Sequence, residues 1–177
     1  MEKLRKYFIY FMLYAIFGWC YEVFLEVIVY RWGFSNRGVL FGPYCPVYGF
    51  GALAFIFAVY PLMKDKELKK KLLMIPIVFF LTMLIATAIE LVTSYICEFA
   101  MGSWPWQTYR DYKYNFQGRV ALSPSIRFGI GGVLFLYLLQ PIFEKFCDKI
   151  GEKRVTILSS VLCVIVIVDC IYSFFIK

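Results

Sequence analysis

Five apolar runs, separated by short charged stretches, dominate the chain: Tyr7–Tyr30, Pro43–Met63, Leu72–Met101, Pro124–Phe143 and Val155–Ile176. A helix needs about 20 mostly apolar residues to cross the hydrocarbon core of a bilayer. The pattern therefore predicts an all-α, polytopic membrane helical bundle of about five transmembrane helices, with residues 1–177 forming a single integral membrane domain. The third run exceeds one crossing and is expected to tilt or to project beyond the membrane. Pro43, Pro76 and Pro124 fall at or near expected helix starts, where a missing N–H costs little. The charged start, Glu2 to Lys6, leads into an apolar run with no small-residue cleavage site after it. That run is expected to remain as the first span.

The charges between the runs orient the bundle. Twelve of the nineteen Lys and Arg lie in the N-terminal stretch (Lys3, Arg5, Lys6), the second loop (Lys64, Lys66, Lys69, Lys70, Lys71) and the fourth (Lys145, Lys149, Lys153, Arg154). Arg31, Arg37, Arg110, Lys113, Arg119, Arg127 and Lys177 fall on the other side. Positive loops stay inside, so the expected topology has the N-terminus in the cytoplasm and the C-terminus outside.

Composition agrees with a membrane protein. Hydrophobic residues make up 62% and charged residues 18%, against about 45–50% and about 25% in soluble domains. The mean hydropathy is +0.70. The net charge of +7 is explained by the loop lysines, so no nucleic-acid partner is expected. There is no histidine, which excludes imidazole catalysis and imidazole metal ligation. The six cysteines form no C-x-x-C pair and read as small hydrophobes. No metal, no cofactor and no catalytic residue is expected.

The acids inside apolar runs are Glu22, Glu26, Glu90, Glu98 and Asp169. All fall in the outer halves of the outward-running spans, near the depth at which Arg37 and Arg127 precede or begin the returning ones. An ionised group at the bilayer centre costs at least about 2.5–3.5 kcal/mol. Five carboxylates at one depth are therefore expected to face inward, paired with arginines. Glu22 and Glu26 share a face at i, i+4, and Glu90, Ser94 and Glu98 form a second stripe. Two readings follow: a buried ion-pair network that ties helices together, or a polar cavity that binds something.

The loops after the first and third runs echo each other. Asn36-Arg37-Gly38-Val39 precedes Pro43, and Asn115-Phe116-Gln117-Gly118-Arg119-Val120 precedes Pro124. Upstream, Cys20-Tyr21-Glu22 loosely matches Ile96-Cys97-Glu98. This suggests a tandem two-helix repeat, residues 7–63 and 72–143, of parallel orientation, with a fifth helix at 155–176. Glycines turn the loops tightly and prolines launch the returning helices. Arg37 and Arg119 would project over the carboxylates, while Asn36 and Asn115 bond loop backbone. Trp104, Trp106, Tyr109, Tyr112 and Tyr114 read as an interfacial belt, or as an aromatic cage for an organic cation. Asp111 is expected to pair with a loop arginine, and Gly129, Gly131 and Gly132 to allow close helix packing.

The strings "FGWCYEVFLE", "NRGVLFGPYCPVYGFGAL" and "YNFQGRVALSPSIRFG" resemble those of the small bacterial ABC-transporter type IV permease family. The likeness covers most of residues 16–143. Arg110-Asp111-Tyr112 and Phe128-Gly129 stand where that family shows Trp-Asp-Tyr and Trp-Gly. The resemblance implies a multi-pass protein of the bacterial plasma membrane. It also carries polar positions onto Glu22, Asn36, Arg37, Pro43, Tyr48, Glu90, Asp111, Asn115, Arg119 and Ser125. The chain has no G-x-x-x-x-G-K-[ST] segment, so any ATPase would be a separate subunit.

The leading expectation is a transport component that binds a small polar or charged solute in an outward-facing cavity between the repeats. Glu22 and Glu90 would take a cation or proton, and Arg37 and Arg119 an anionic group. Glu98, Asn36, Asn115, Tyr48 and Asp111 complete the expected site. An intramembrane enzyme acting on lipid-linked substrates and a structural scaffold subunit remain open on the same residues. The small size of the bundle makes a homodimer a further expectation.

Overall fold

The computed structural model describes residues 1–176; Lys177, counted above with the outer charges, lies outside the described residues. The helices are α1 (Glu2–Phe24), α2 (Pro46–Ala58), α3 (Tyr60–Met63), α4 (Leu68–Leu73), α5 (Ile75–Met101), α6 (Leu122–Leu134) and α7 (Gln140–Ile171). Wider π turns extend α1 over Leu25–Val29, α6 over Phe135–Leu139 and α7 over Tyr172–Ile176. A two-residue pairing joins β1 (Asn115–Phe116) to β2 (Val120–Ala121), antiparallel, with Asn115 opposite Ala121. Three helical stretches are long and apolar enough to cross a membrane: Glu2–Val29, Ile75–Met101 and Leu122–Ile176. A shorter apolar helix covers Pro46–Ala58. The chain is an all-α polytopic membrane protein. Residues 1–53 with the described residues from 140 onward form one compact unit, and residues 54–139 form another.

In the first unit α7 doubles back on itself. Gln140 meets Tyr14 (Tyr14 Oη to Gln140 Oε1, 3.2 Å) and Asp148 meets Lys6 (3.0 Å). Arg5 then donates to Thr156 (2.8 Å), and Leu162 and Val166 pack on the Met12–Ala15 core. The first part of α7 thus runs against α1 and the second part runs with it. The reversal falls at Gly151, whose φ of 77° and ψ of 165° are not helical. A continuous 55-residue helix would measure about 80 Å at 1.5 Å per residue, far beyond a core of about 30 Å. Gly151 separates the fourth and fifth apolar runs instead. The contacts also gather Arg5, Lys6, Asp148 and Thr156 at one end of this unit, and Glu22, Asp169 and the 41–45 segment at the other.

The start of the second apolar run differs from expectation. Pro43 does not open a helix, because its neighbours are held in a turn. Tyr44 N–H bonds Gly42 O (2.8 Å), Cys45 N–H bonds Ala15 O (2.9 Å), and Asp169 takes the Phe41 and Gly42 amides. The helix begins at Pro46, whose absent N–H suits a first turn.

The second unit is built on the antiparallel pair α5 and α6. Lys71 O lies against Tyr137 Oη (2.5 Å), Thr82 against Gly129 O (3.4 Å), and Thr87 Oγ1 against Ser125 Oγ (2.8 Å). Arg119 closes the far end on Ser94 and Glu98. Gly129 and Gly132 make the approach close. A Cβ on Gly129 would meet the Phe79 ring at 2.6 Å, and one on Gly132 would overlap Thr82. Gly131 does not share this role, since a Cβ there meets nothing within 4 Å. One residue away around a helix means about 100° of rotation, which turns it off the α5 face.

Candidate functional site

In the first unit three carboxylates are each fastened to the segment that follows α1. Glu22 accepts a hydrogen bond from the Tyr48 hydroxyl. Tyr48 reaches it across α1 because residue 18 is glycine: a Cβ there would lie within 2.6 Å of Tyr48 Cβ. Glu22 makes no ion pair among the described residues. Glu26, one turn on, is buried at 8% side-chain exposure and lies in the π turn. It pairs with Arg37 Nη2 at 2.9 Å and accepts from Ser35 Oγ (2.7 Å) and Ser35 N–H (3.3 Å). Asp169, from the last apolar run, accepts from Phe41 N–H (2.9 Å), Gly42 N–H (2.8 Å), Ser173 Oγ (2.9 Å) and the Tyr44 hydroxyl.

Asn36 organises this segment. Its Nδ2 donates to Phe41 O (2.7 Å) and Leu40 O (3.4 Å), and its Oδ1 accepts from Trp19 Nε1 (2.8 Å). Its side-chain amide is thus engaged at both ends by protein groups.

The second unit repeats the idea with different parts. Gln117 and Gly118 both have positive φ (54° and 65°), and Arg119 N–H bonds Phe116 O (3.0 Å). Positive φ at both Gln117 and Gly118 lets the chain reverse between Phe116 and Val120, which face each other across the turn. Asn115 Oδ1 fixes that turn by accepting Gly118 N–H (2.8 Å), and its Nδ2 donates to Tyr112 O (2.7 Å). The turn sends Arg119 back onto α5, where it pairs with Glu98 and donates to Ser94 Oγ (3.4 Å).

Arg119 is 8% exposed. Its guanidinium carbon lies 4.1 Å from the Tyr95 ring centroid and 4.1 Å from that of Trp104. An aromatic cage thus exists, and the cation inside it is the chain's own. Trp104 Nε1 donates to Gly118 O (3.1 Å) and the Tyr95 hydroxyl to Gln117 Oε1 (2.6 Å), so both cage walls are bonded to the turn, and Trp106 Nε1 adds a bond to Arg119 O (2.7 Å).

Nearer the centre of α5, Glu90 is buried and its Oε1 accepts from the Tyr109 hydroxyl (2.9 Å). Asp111 does not pair with a loop arginine. It is exposed at the end of the 3-10 turn Gln107–Asp111 and makes no ion pair among the described residues. The nearby arginines go to aromatics instead: Arg110 lies over Trp104 (4.8 Å) and Arg127 Nη2 donates to the Tyr112 hydroxyl (3.1 Å).

Several contributors had no prominence in the sequence. Ser35 and Tyr95 each sit one residue from a singled-out position, which is the signal that was available. Asp169 was visible as a lone acid in an apolar run, but its backbone partners 127 and 128 positions away were not. Among the described residues no group of three or more His, Cys, Asp or Glu could hold a metal ion. A groove of about 510 Å³ beside α1, lined by Trp19, Val23, Val27, Phe34 and neighbours, includes none of the acids.

Chemically, the two arginines differ from Glu22. Arg37 and Arg119 are engaged in ion pairs, and Glu26, Glu98 and Asp169 are engaged by their loops. Glu22 holds one neutral hydroxyl donor, which leaves acceptor capacity on an acidic group inside an apolar helix.

No curated protein and no solved structure matches the chain. A family model does, over residues 9–174, which takes in both units and every acid described above. The chain belongs to the family described as "Putative ABC-transporter type IV".

Proposed function

We propose that the chain is a permease-like transport component of the bacterial plasma membrane that binds a small polar or charged solute at Glu22. Five crossings, with the first running outward from a cytoplasmic N-terminus, fit the positive start of α1, the positive reversal of α7 around Gly151 and the acidic far end. Energy would come from a separate ATPase subunit, in keeping with the family description and with a chain that carries no phosphate-binding loop of its own.

The observation that carries this reading is the unequal treatment of the acids. An acid inside a membrane span is costly, and ordinary structural use couples it to a cation or to several donors. Glu26, Glu98 and Asp169 follow that rule. Among the described residues Glu22 is held by Tyr48 alone, and it faces the same end of its unit as Arg37. A cationic group or a proton supplies the missing partner.

A scaffold role has one observation in its favour, the enclosed Arg119. That pair is assigned here to structure, and the solute to Glu22. The test is thermal stabilisation of the purified protein by a panel of amino acids, polyamines and inorganic cations, followed by uptake of any hit into proteoliposomes. A hit should lose at least about tenfold in apparent affinity in Glu22→Gln, matching the loss of one charge-assisted contact of about 1.5–3 kcal/mol. The exposed control Glu67→Gln should bind as wild type. Equal binding by Glu22→Gln removes Glu22 from the site, and a panel without any hit favours the scaffold.

A further inference from the structure

Between α3 and α5 the chain places five lysines in eight residues, Lys64, Lys66, Lys69, Lys70 and Lys71, against Asp65 and Glu67. Lys70 approaches Glu67 at 3.8 Å with both side chains mostly exposed, and Lys66, Lys69 and Lys71 make no ion pair among the described residues.

The same segment exposes three leucines. Leu68 is 74% exposed, Leu72 53% and Leu73 71%. Leu68 and Leu72 are four apart on α4 and share a face. None of the three is packed into the protein, yet α4 is not a loose element. Lys71 O accepts the Tyr137 hydroxyl at 2.5 Å, and Met74 N–H bonds Lys70 O and Lys71 O (both 3.1 Å). Met74 leads directly into α5, a membrane-crossing stretch. The leucines are therefore held within about two turns of the start of α5, and the lysines sit beside them.

We infer that α4 and its flanking lysines form a docking element for anionic phospholipid headgroups. Leu68, Leu72 and Leu73 enter the boundary between headgroups and acyl chains. Lys66, Lys69, Lys70 and Lys71 lay their stems along it and bring their ammonium groups to the phosphates. An acidic protein surface would satisfy the lysines. It would have to supply an apolar groove at the membrane edge for the leucines, where the bilayer already provides one.

The experiment is native mass spectrometry of the full chain released from nanodiscs of equal phosphatidylglycerol and phosphatidylcholine. Wild type should retain phosphatidylglycerol preferentially, and 0.5 M salt should weaken the preference, because surface attraction is screened. Each lysine near an anionic surface is worth about fivefold, so Lys66→Gln/Lys69→Gln/Lys70→Gln should lose at least about tenfold of that preference. Lys145→Gln/Lys149→Gln/Lys153→Gln removes the same charge from another loop and should keep it. An equal fall in both variants overturns the proposal, since it makes the effect one of net charge. Absence of any headgroup preference also overturns it. If trypsin is then blocked at Lys69–Lys71 in native membranes but not in phosphatidylglycerol liposomes, the occupant is a protein.

Discussion

Replacing Arg119 by lysine separates two explanations of why an arginine is buried in the second unit. Its guanidinium is stacked 4.1 Å from two ring centroids and also paired with Glu98. A cation over an aromatic face contributes about 0.5–1 kcal/mol when exposed and about 2 kcal/mol when desolvated. Arg119 is 8% exposed, so two faces together contribute about 2–4 kcal/mol. Glu98 is 43% exposed at its side chain, so the pair with it is screened and contributes about 1 kcal/mol or less. Lysine keeps the charge but lacks the planar group that two rings can sandwich. Arg119→Lys should therefore cost about 2–3 kcal/mol, and Glu98→Gln less than about 1 kcal/mol. Reversible unfolding in mixed micelles, followed by tryptophan fluorescence and circular dichroism, measures both. If Glu98→Gln costs as much as Arg119→Lys, the ion pair dominates and the stacking argument fails. Solute stabilisation that depends on Glu22 should survive Arg119→Lys, because Arg119 is already spent on Glu98, Ser94 and two rings.

Two further substitutions test the packing on which the site rests. Asp169→Asn keeps the shape but leaves a donor where the carboxylate accepted from Phe41, Gly42, Tyr44 and Ser173. It should lower stability by about 2 kcal/mol, and should raise amide exchange at Phe41 and Gly42 specifically, read by hydrogen–deuterium exchange. Gly132→Val pushes a side chain into Thr82 and should cost about 1–3 kcal/mol in the same micelle assay, whereas Gly131→Val, pointing into open space, should stay within about 0.5 kcal/mol.

The membrane class and the apolar runs were legible because lipid tolerates so few polar residues that every charge marks a boundary. The acids were legible for the same reason. Partnerships were harder, since they depend on which loop reaches which helix. Asp111 looked like an arginine partner because arginines flank it in sequence, but Trp104 and Tyr112 draw Arg110 and Arg127 away. The aromatic cluster looked like a belt or an empty cage. Nothing in the order of residues shows that two positive-φ positions, Gln117 and Gly118, turn Arg119 into it. Pro43 looked like a helix start because proline favours that position, but an acid some 125 residues later holds the adjoining backbone in a turn.

The loop echo gains physical content from these partnerships. In each unit an asparagine side chain ties the loop, a tryptophan N–H is spent on it, a positive-φ glycine adjoins the arginine, and that arginine returns to a glutamate on the preceding helix. The order differs: Gly38 follows Arg37, while Gly118 precedes Arg119. The spans differ too, Glu26 to Arg37 being far shorter than Glu98 to Arg119. Shared chemistry with unshared register is what results when the same requirement is met twice. The backbone must leave a helix at membrane depth, and its polar groups must be satisfied there by protein rather than water. The Arg37–Glu26 and Arg119–Glu98 pairs meet that requirement and are accounted for by it. Glu22 is not: the loop is already held by Glu26, Asn36 and Asp169, and no backbone group depends on its carboxylate. Its one tie among the described residues is to the Tyr48 hydroxyl, and an acid held that lightly at a depth where acids are costly is the reason the solute is proposed at Glu22.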